Sequence, residues 1–430
     1  MTYSVENSKN YVLVSDFHFD NDKSVSQWDE IIDDGAGLNT PTSLWVEDGY
    51  VEMKVPDDTD RVVRQSKEYF RAKGSKMVKV QFTTALNINT VASTAVDGAT
   101  SRVGVFDNHD DKTIIPGDVG NVGFFFEYRV TDTTTLGAGV PTHPLYVGIR
   151  YGPSDVGTDT LVRQDAFNIN DLNRNSHLSI TDWSQIYTFE IIYNSIGYVE
   201  WAVYLDGDRI LLHREQNIVG ILSKLPRFNM PLRVEITNND TAVDGLLHEM
   251  RHFNSSICIE DYDGFNDSDQ SISSNAFKLK HLTDISNLVY TIDSNSYIPI
   301  FSFRLKEDFV RNPIKLYEIL YLVQKYGSFS YAIVRNADLS TGNASVWVDA
   351  GADKTIEYDI TADIATSTTD ILYEQYVDQY SLSNSNNSKL SVGPAILTSD
   401  IGGTADVFTL LVRKLSQAKV TVNFGLRWAE

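Results

Sequence analysis

The run His248-Glu249-Met250-Arg251-His252 fits H-E-x-x-H. On a helix that spacing brings two imidazoles to one face, where they bind Zn²⁺ while the Glu acts as general base. The chemistry depends on the helix. Asp244-Gly245 on one side and Asn254-Ser255-Ser256 on the other leave room for roughly two turns, short for an active-site helix. As a strand, the segment turns Leu247, Glu249, Arg251 and Phe253 one way and His248, Met250 and His252 the other. The two imidazoles then stand about 13 Å apart along the chain, too far for one ion. No downstream motif offers a third ligand, His281 being the nearest histidine. His248, Glu249 and His252 therefore read as a chance match on a strand, and no metal is expected.

Other residue types could also do chemistry. Glu190 and Glu200 fall on neighbouring strand signals and could share a groove as a glycosidase pair, although the polar side of a half-buried sheet presents the same pattern. Trp183, Trp201 and Trp347 could stack on sugar rings, with core packing as the competing role. Asp261-Tyr262-Asp263-Gly264 has the look of a calcium loop. In EF-hand register, however, Ile259 and Gln270 occupy the two key carboxylate positions. A solvated acidic linker is expected there, with a weak calcium site from Asp261, Asp263 and Asp267 as the alternative. Cys258, between Ile257 and Ile259, reads as a buried thiol. Neither a G-x-S-x-G elbow nor a glycine-rich phosphate loop between strand and helix is present. The expectation is a non-enzyme without a cofactor.

The elements that would carry these residues are strands. Apolar alternation recurs at 43–55, 76–86, 102–107, 121–130, 145–152, 186–194 and 231–238, separated by Gly, Asn, Asp, Ser and Thr clusters. In 186–194, Tyr187, Phe189, Ile191 and Tyr193 share one face. The segment 197–213 predicts a hairpin, with Val199, Trp201, Val203 and Leu205 on one face, Glu200 and Tyr204 on the other, and Asp206-Gly207 at the turn. The 312–327 segment mixes helical and alternating periods and is assigned to strand, because 328–334 continues as a second apolar run. The polar stretch 259–275 separates two series of strands, and 381–391 reads as a long loop. The predicted fold is all-β, with two jelly-roll-like β-sandwiches in tandem at 1–258 and 277–430 joined by an acidic linker at 259–276.

Composition narrows the partners. The 430 residues carry 36 basic and 58 acidic side chains, a formal charge of −22 that repels phosphate backbones and anionic headgroups. Nucleic acid and membrane are not expected partners. With one cysteine there is no intrachain disulfide, and the first residues lack the charged and apolar regions of a secretory signal. No 18 apolar residues run together, as a membrane-crossing helix would need. Synthesis in a cytoplasm is expected.

The series RQSKEYF (64–70), RVGVFD (102–107), GFFFEY (123–128), LYVGIR (145–150), RQDAFNIND (163–171), the hairpin region 186–213 and MPLRVEITN (230–238) resembles a family of virion structural proteins. These come from tailed bacteriophages and other large DNA viruses, and GLRWAE (425–430) fits the family's C-terminus. The resemblance implies a tail, baseplate or fibre component in the virion, a homo-oligomer (trimer or ring) contacting other virion proteins, and no catalytic residues. The insertions at 88–100, 108–120 and 131–143 depart from the family pattern and would carry subunit contacts. Separately, IYTFEIIYN with EWAVYLDGDRILLH is similar to the closing strands of concanavalin-A-like and laminin-G-like jelly rolls. That likeness implies glycan binding, here of a host-surface glycan, as the alternative function.

Overall fold

The computed structural model describes residues 11–19, 27–35, 39–57, 59–71, 76–88, 99–107, 122–129, 145–151, 158–170, 183–194, 198–216, 229–238, 248–260, 279–281, 289–309, 314–325, 327–337, 347–350, 355–361, 371–377, 388–389, 396–397 and 403–429. Among them there is no α-helix, only strands and two short 3₁₀ turns, so no helix is long and apolar enough to cross a membrane. The chain divides into two units, Met1–Ser268 and Asp269–Glu430.

The first unit contains two antiparallel sheets. One runs in the order β13 (Asp208–Gln216), β12 (Tyr198–Leu205), β11 (Tyr187–Asn194), β6 (Val78–Ala85), β15 (His248–Glu260), β4 (Tyr50–Val55) and β3 (Thr42–Val46). In this first sheet β4 flanks the start of β15, and β1 (Tyr11–His18) flanks the rest. The second sheet runs β10 (Thr158–Arg163), β9 (Leu145–Tyr151), β8 (Val122–Arg129), β7 (Ala99–Phe106), β14 (Asn229–Asn238), β5 (Arg61–Arg71) and β2 (Trp28–Asp33).

Period-two alternation explains why they stack. Phe189, Ile191 and Tyr193 of β11, Trp201 and Val203 of β12, and Val80 and Phe82 of β6 turn inward from the first sheet. They meet Phe124 and Phe126 of β8, Val103 and Val105 of β7, and Leu232 and Val234 of β14. Ring centroids lie 5.0 Å apart for Phe126 and Phe189 and 5.3 Å for Phe124 and Tyr193. The Trp201 indole N–H crosses the core to donate to the Phe125 carbonyl at 3.2 Å. The β12–β13 hairpin turns through Asp206 (φ 52°) and Gly207 (φ 89°), the positive-φ pair that a two-residue loop requires.

The second unit is also a pair of sheets. The third sheet orders β16 (Leu279–His281), β27 (Val420–Ala429), β19 (Ile314–Lys325) and β24 (Ser388–Lys389), with β17 (Tyr290–Ile292) beside β27 and β25 (Ile396–Leu397) beside β19. The fourth orders β21 (Val348–Asp349), β22 (Ile356–Asp359), β18 (Ile298–Leu305), β26 (Phe408–Lys414), β20 (Phe329–Arg335) and β23 (Ile371–Val377). Their shared core includes Phe303, Tyr331, Phe408, Phe424 and Trp428.

The ambiguous 312–327 segment is strand over Ile314–Lys325, and all-β architecture holds throughout the described residues. The linker needs one correction. Ile259 and Glu260, placed at its start, pair with Val12 and Tyr11 and belong to β15. The remainder of 259–276, including Asp261, Asp263 and Asp267, lies outside the described residues, as do 108–120, 131–143 and most of 88–100 and 381–391.

Candidate functional site

The outer side of a two-sheet sandwich is ordinarily solvated and its charges loose. The outer face of the second sheet departs from that rule. Its register sets side chains in rows. One row reads Val63, Glu235, Arg102, Glu127 and Tyr146 across β5, β14, β7, β8 and β9. The next reads Gln65, Arg233, Gly104, Phe125, Gly148 and Leu161, reaching β10, and a third reads Phe106, Gly123, Arg150 and Asp159.

Opposite charges meet along these rows. The Arg102 guanidinium donates from Nε to Glu127 (2.6 Å) and from Nη1 to Glu235 (2.8 Å). Arg233 donates from Nε and Nη2 to Glu235 (3.0 and 2.8 Å) and from Nη1 to Gln65 (2.9 Å). Arg129 holds the other Glu127 oxygen at 2.5 Å. Arg150 forks onto Asp159, Nε to Oδ1 at 2.8 Å and Nη2 to Oδ2 at 3.0 Å. Arg233 and Glu127 are 0% exposed, Glu235 2% and Arg150 6%.

The floor beneath them is aromatic. Arg150 lies over the Phe106 and Phe125 rings, 5.3 and 5.4 Å from their centroids, with Arg233 5.3 Å from Phe106 and Arg102 5.6 Å from Phe125. Glycine makes that floor. A Cβ on Gly148 would come within 2.3 Å of the Phe125 ring, so only glycine lets the ring lie flat there.

Electrostatics fixes the protonation states. Burial pushes the Glu235 carboxyl up, but Arg233, Arg102, Arg61 and Arg150 outweigh it and hold the group well below the usual carboxylate range. Burial works against the Arg102 charge, and Glu127 with Glu235 more than restores it. Glu235 is thus a permanent acceptor and the guanidiniums permanent donors. A carboxylate held ionised in this way cannot act as general acid near neutrality.

The residues singled out from sequence fall elsewhere. His248, Met250 and His252 lie on β15 with their side chains inward, so the H-E-x-x-H run is strand and not helix. His252 accepts from Arg64 Nη1 through Nδ1 (3.3 Å), which leaves Nε2–H to donate to Ser255 Oγ (2.6 Å). Burial, and then Arg64, keep this imidazole neutral, its pKa well below that of a free histidine. Arg64, itself inside the core with Glu30, Phe19 and Trp28 around it, is lowered to about 10 by burial. Glu249 points outward to Arg251 (2.7 Å). Among the described residues no three His, Cys, Asp or Glu gather as metal ligands.

Glu190 and Glu200 do share the outer face of the first sheet, but Arg209 ties them together, Nε to Glu190 at 2.5 Å and Nη2 to Glu200 at 3.1 Å. Tyr204 and Gln81 also donate to Glu190, and Tyr198 and Arg214 to Glu200. Glu200 stays below its ordinary pKa, because these hydrogen bonds and cations outweigh burial. Trp183 and Trp201 are corrections to the stacking expectation. Both are core residues, 2% and 0% exposed, with no ring face available to a ligand. Trp347 is half-buried, with Arg304 stacked 4.2 Å from its ring. Cys258 is also corrected: it is half-buried on the outer side of β15, where burial raises its thiol pKa.

The six charged residues of the central cluster, Arg102, Glu127, Arg150, Asp159, Arg233 and Glu235, went unmarked in the sequence. All but Asp159 sit inside the recurring motifs 102–107, 123–128, 145–150 and 230–238. The available signal was one or two charges among the outward positions of strands whose alternate positions are apolar.

No family model matches this chain, and no curated protein does. Nothing in these comparisons supports the virion family. Solved structures similar to it include the carbohydrate recognition domain of Emp47p, at 15% identity and a TM-score of 0.35, covering 59% of this chain and 98% of that one. A lectin from Bauhinia forficata in complex with GalNAc is similar at 12% identity and TM-score 0.31, covering 58% and 98%. The apo Crh5 transglycosylase is similar at 15% and 0.33, covering 59% and 87%. Likenesses this distant carry no argument about ligand, and the description of the fold above stands on strand pairing alone.

Proposed function

We propose that this chain is a carbohydrate-binding protein, not an enzyme, and that it binds through the outer face of the second sheet. One observation carries the reading. That face fixes guanidiniums and carboxylates by mutual pairing over a rigid Phe–Gly floor and, among the described residues, leaves Arg150 Nη1 without an acceptor, an arrangement that suits a polyhydroxylated ligand. Preorganised groups lose little entropy on binding. The same ion pairing that fixes them deprives the site of an acid catalyst.

Within that reading the chain is a homo-oligomeric virion component carrying the face to a host glycan, a setting supported by the motif series alone. Mass spectrometry of purified particles tests the setting, and absence of the chain from them ends it. The binding itself is tested on an array of neutral and acidic glycans, with and without Ca²⁺. Retention of a defined glycan set by the full chain, lost in Arg102→Met, is expected. A blank array in both conditions overturns the proposal.

A further inference from the structure

The guanidinium of Arg150 has five N–H bonds. Asp159 uses one from Nε and one from Nη2. The end-on side of the fork, formed by Nη1 and the remaining Nη2 hydrogen, points away from Asp159. Nη1 is buried and has no hydrogen-bond partner among the described residues. Buried charged donors are nearly always satisfied, and leaving one open is costly. The neighbouring face contrasts with it: Arg102 and Arg233 are occupied by Glu127, Glu235 and Gln65.

The charges of the central cluster balance: Arg102, Arg150 and Arg233 face Glu127, Asp159 and Glu235, three cations to three anions, in a protein of net charge −22. At the nearest partly exposed point of this face, the side chains of Arg102 and Asp159 are each 21% exposed and approach within 4.0 Å.

We infer that the open fork of Arg150 receives the carboxylate of an acidic sugar, so that the glycan bound on this face contains a uronic acid. A planar carboxylate matches the end-on guanidinium with two parallel N–H···O bonds, and the Phe106 and Phe125 rings exclude water from them. A neutral hydroxymethyl at the same position would offer the open Nη1 no charge-assisted acceptor. The inference rests on the carbohydrate reading above and names the class of sugar.

The test measures binding of trisaccharides of glucuronate, galacturonate and mannuronate to the full chain by calorimetry, each beside its methyl ester. At least one acid is expected to bind ten- to a hundredfold more tightly than its ester, the range of a lost charge-assisted hydrogen bond. Arg150→Gln is expected to bring that ratio near one. Arg150→Lys, which keeps the charge without the fork, should retain only part of it. Arg214→Gln, on the other sheet, should not change it. Equal affinity of acid and ester in the unaltered protein overturns the inference and leaves the carbohydrate reading standing. Tighter binding of an O-sulfated neutral trisaccharide than of any uronate overturns the carboxylate assignment. Failure of every sugar, neutral or acidic, defeats the carbohydrate reading itself. The acid-to-ester ratio needs no variant, so a misfolded Arg150→Gln does not shield the inference.

Discussion

The two outer faces of the first unit are built from the same materials and end in different states. On the first sheet, Glu190 and Glu200 are saturated by Arg209, Arg214, Tyr198, Tyr204 and Gln81, and none of these side chains is left buried without a partner. On the second sheet the pairing is just as dense, but it is deeper and leaves the Arg150 fork open. Tyr198 and Tyr204 hydroxyls close carboxylate lone pairs on the first sheet, whereas the central row of the second holds Gly104, Phe125 and Gly148, which supply no side-chain acceptor. A closed network is a structural element; an open one can accept a guest.

The largest effect separating the two faces should come from their arginine hubs. Arg233→Met removes two bonds to Glu235, which keeps Arg102 and Arg61, and leaves Gln65 Oε1 without its donor in a fully buried setting; it is expected to cost about 3 kcal/mol in urea unfolding. Arg209→Met leaves Glu190 and Glu200 with their tyrosine, glutamine and Arg214 donors and should cost about 1–2 kcal/mol. Equal losses would erase the distinction in depth.

Next in size is the floor. Gly148→Ala places a methyl group against Phe125 and is expected to destabilise by about 1–3 kcal/mol, with loss of any sugar affinity. An equal and opposite control is Cys258→Ser on the outer side of the first sheet, expected to change little because the site is half-buried.

Acid should also act in order, first on the core and then on the outer face of the second sheet. His252 has its folded pKa depressed, so the unfolded state binds its proton first and stability declines as pH falls below about 6.5. Glu235 is likewise depressed; its contribution is complete above about pH 4.3 and is lost as pH falls further. Melting temperature against pH should therefore fall in two legs, the upper one absent in His252→Gln and the lower one absent in Glu235→Gln. The smallest effect is expected from Arg214→Gln, whose side chain is 38% exposed: under about 1 kcal/mol.

How much of this was legible depends on distance along the chain. The hairpin at Asp206-Gly207 and the inward set Phe189, Ile191 and Tyr193 follow from neighbouring residues, and the structure has both. The core position of Trp201 was readable as well, since it shares a face with Val199 and Val203; treating it as a sugar contact set that alternation aside. The charged face was not readable. Arg102 meets Glu235 across 133 residues because β14 inserts between β5 and β7, and nothing in local periodicity announces that neighbour order. Arg and Glu at alternate positions look the same whether water or a buried counter-ion awaits them.

The pairing of β1 with β15 has a mechanical meaning. Tyr11 stands opposite Glu260 and His18 opposite Asn254, so the free ends of both strands lie at the same end of the ladder. Pulling on the chain from before β1 and after β15 therefore parts the two strands one rung at a time, like a zip, and never loads the rungs together in shear. Traction passing through the first unit along its backbone strips β1 away first and bares the β15 edge from Asn254 to Glu260, while the second sheet and its charged rows stay assembled.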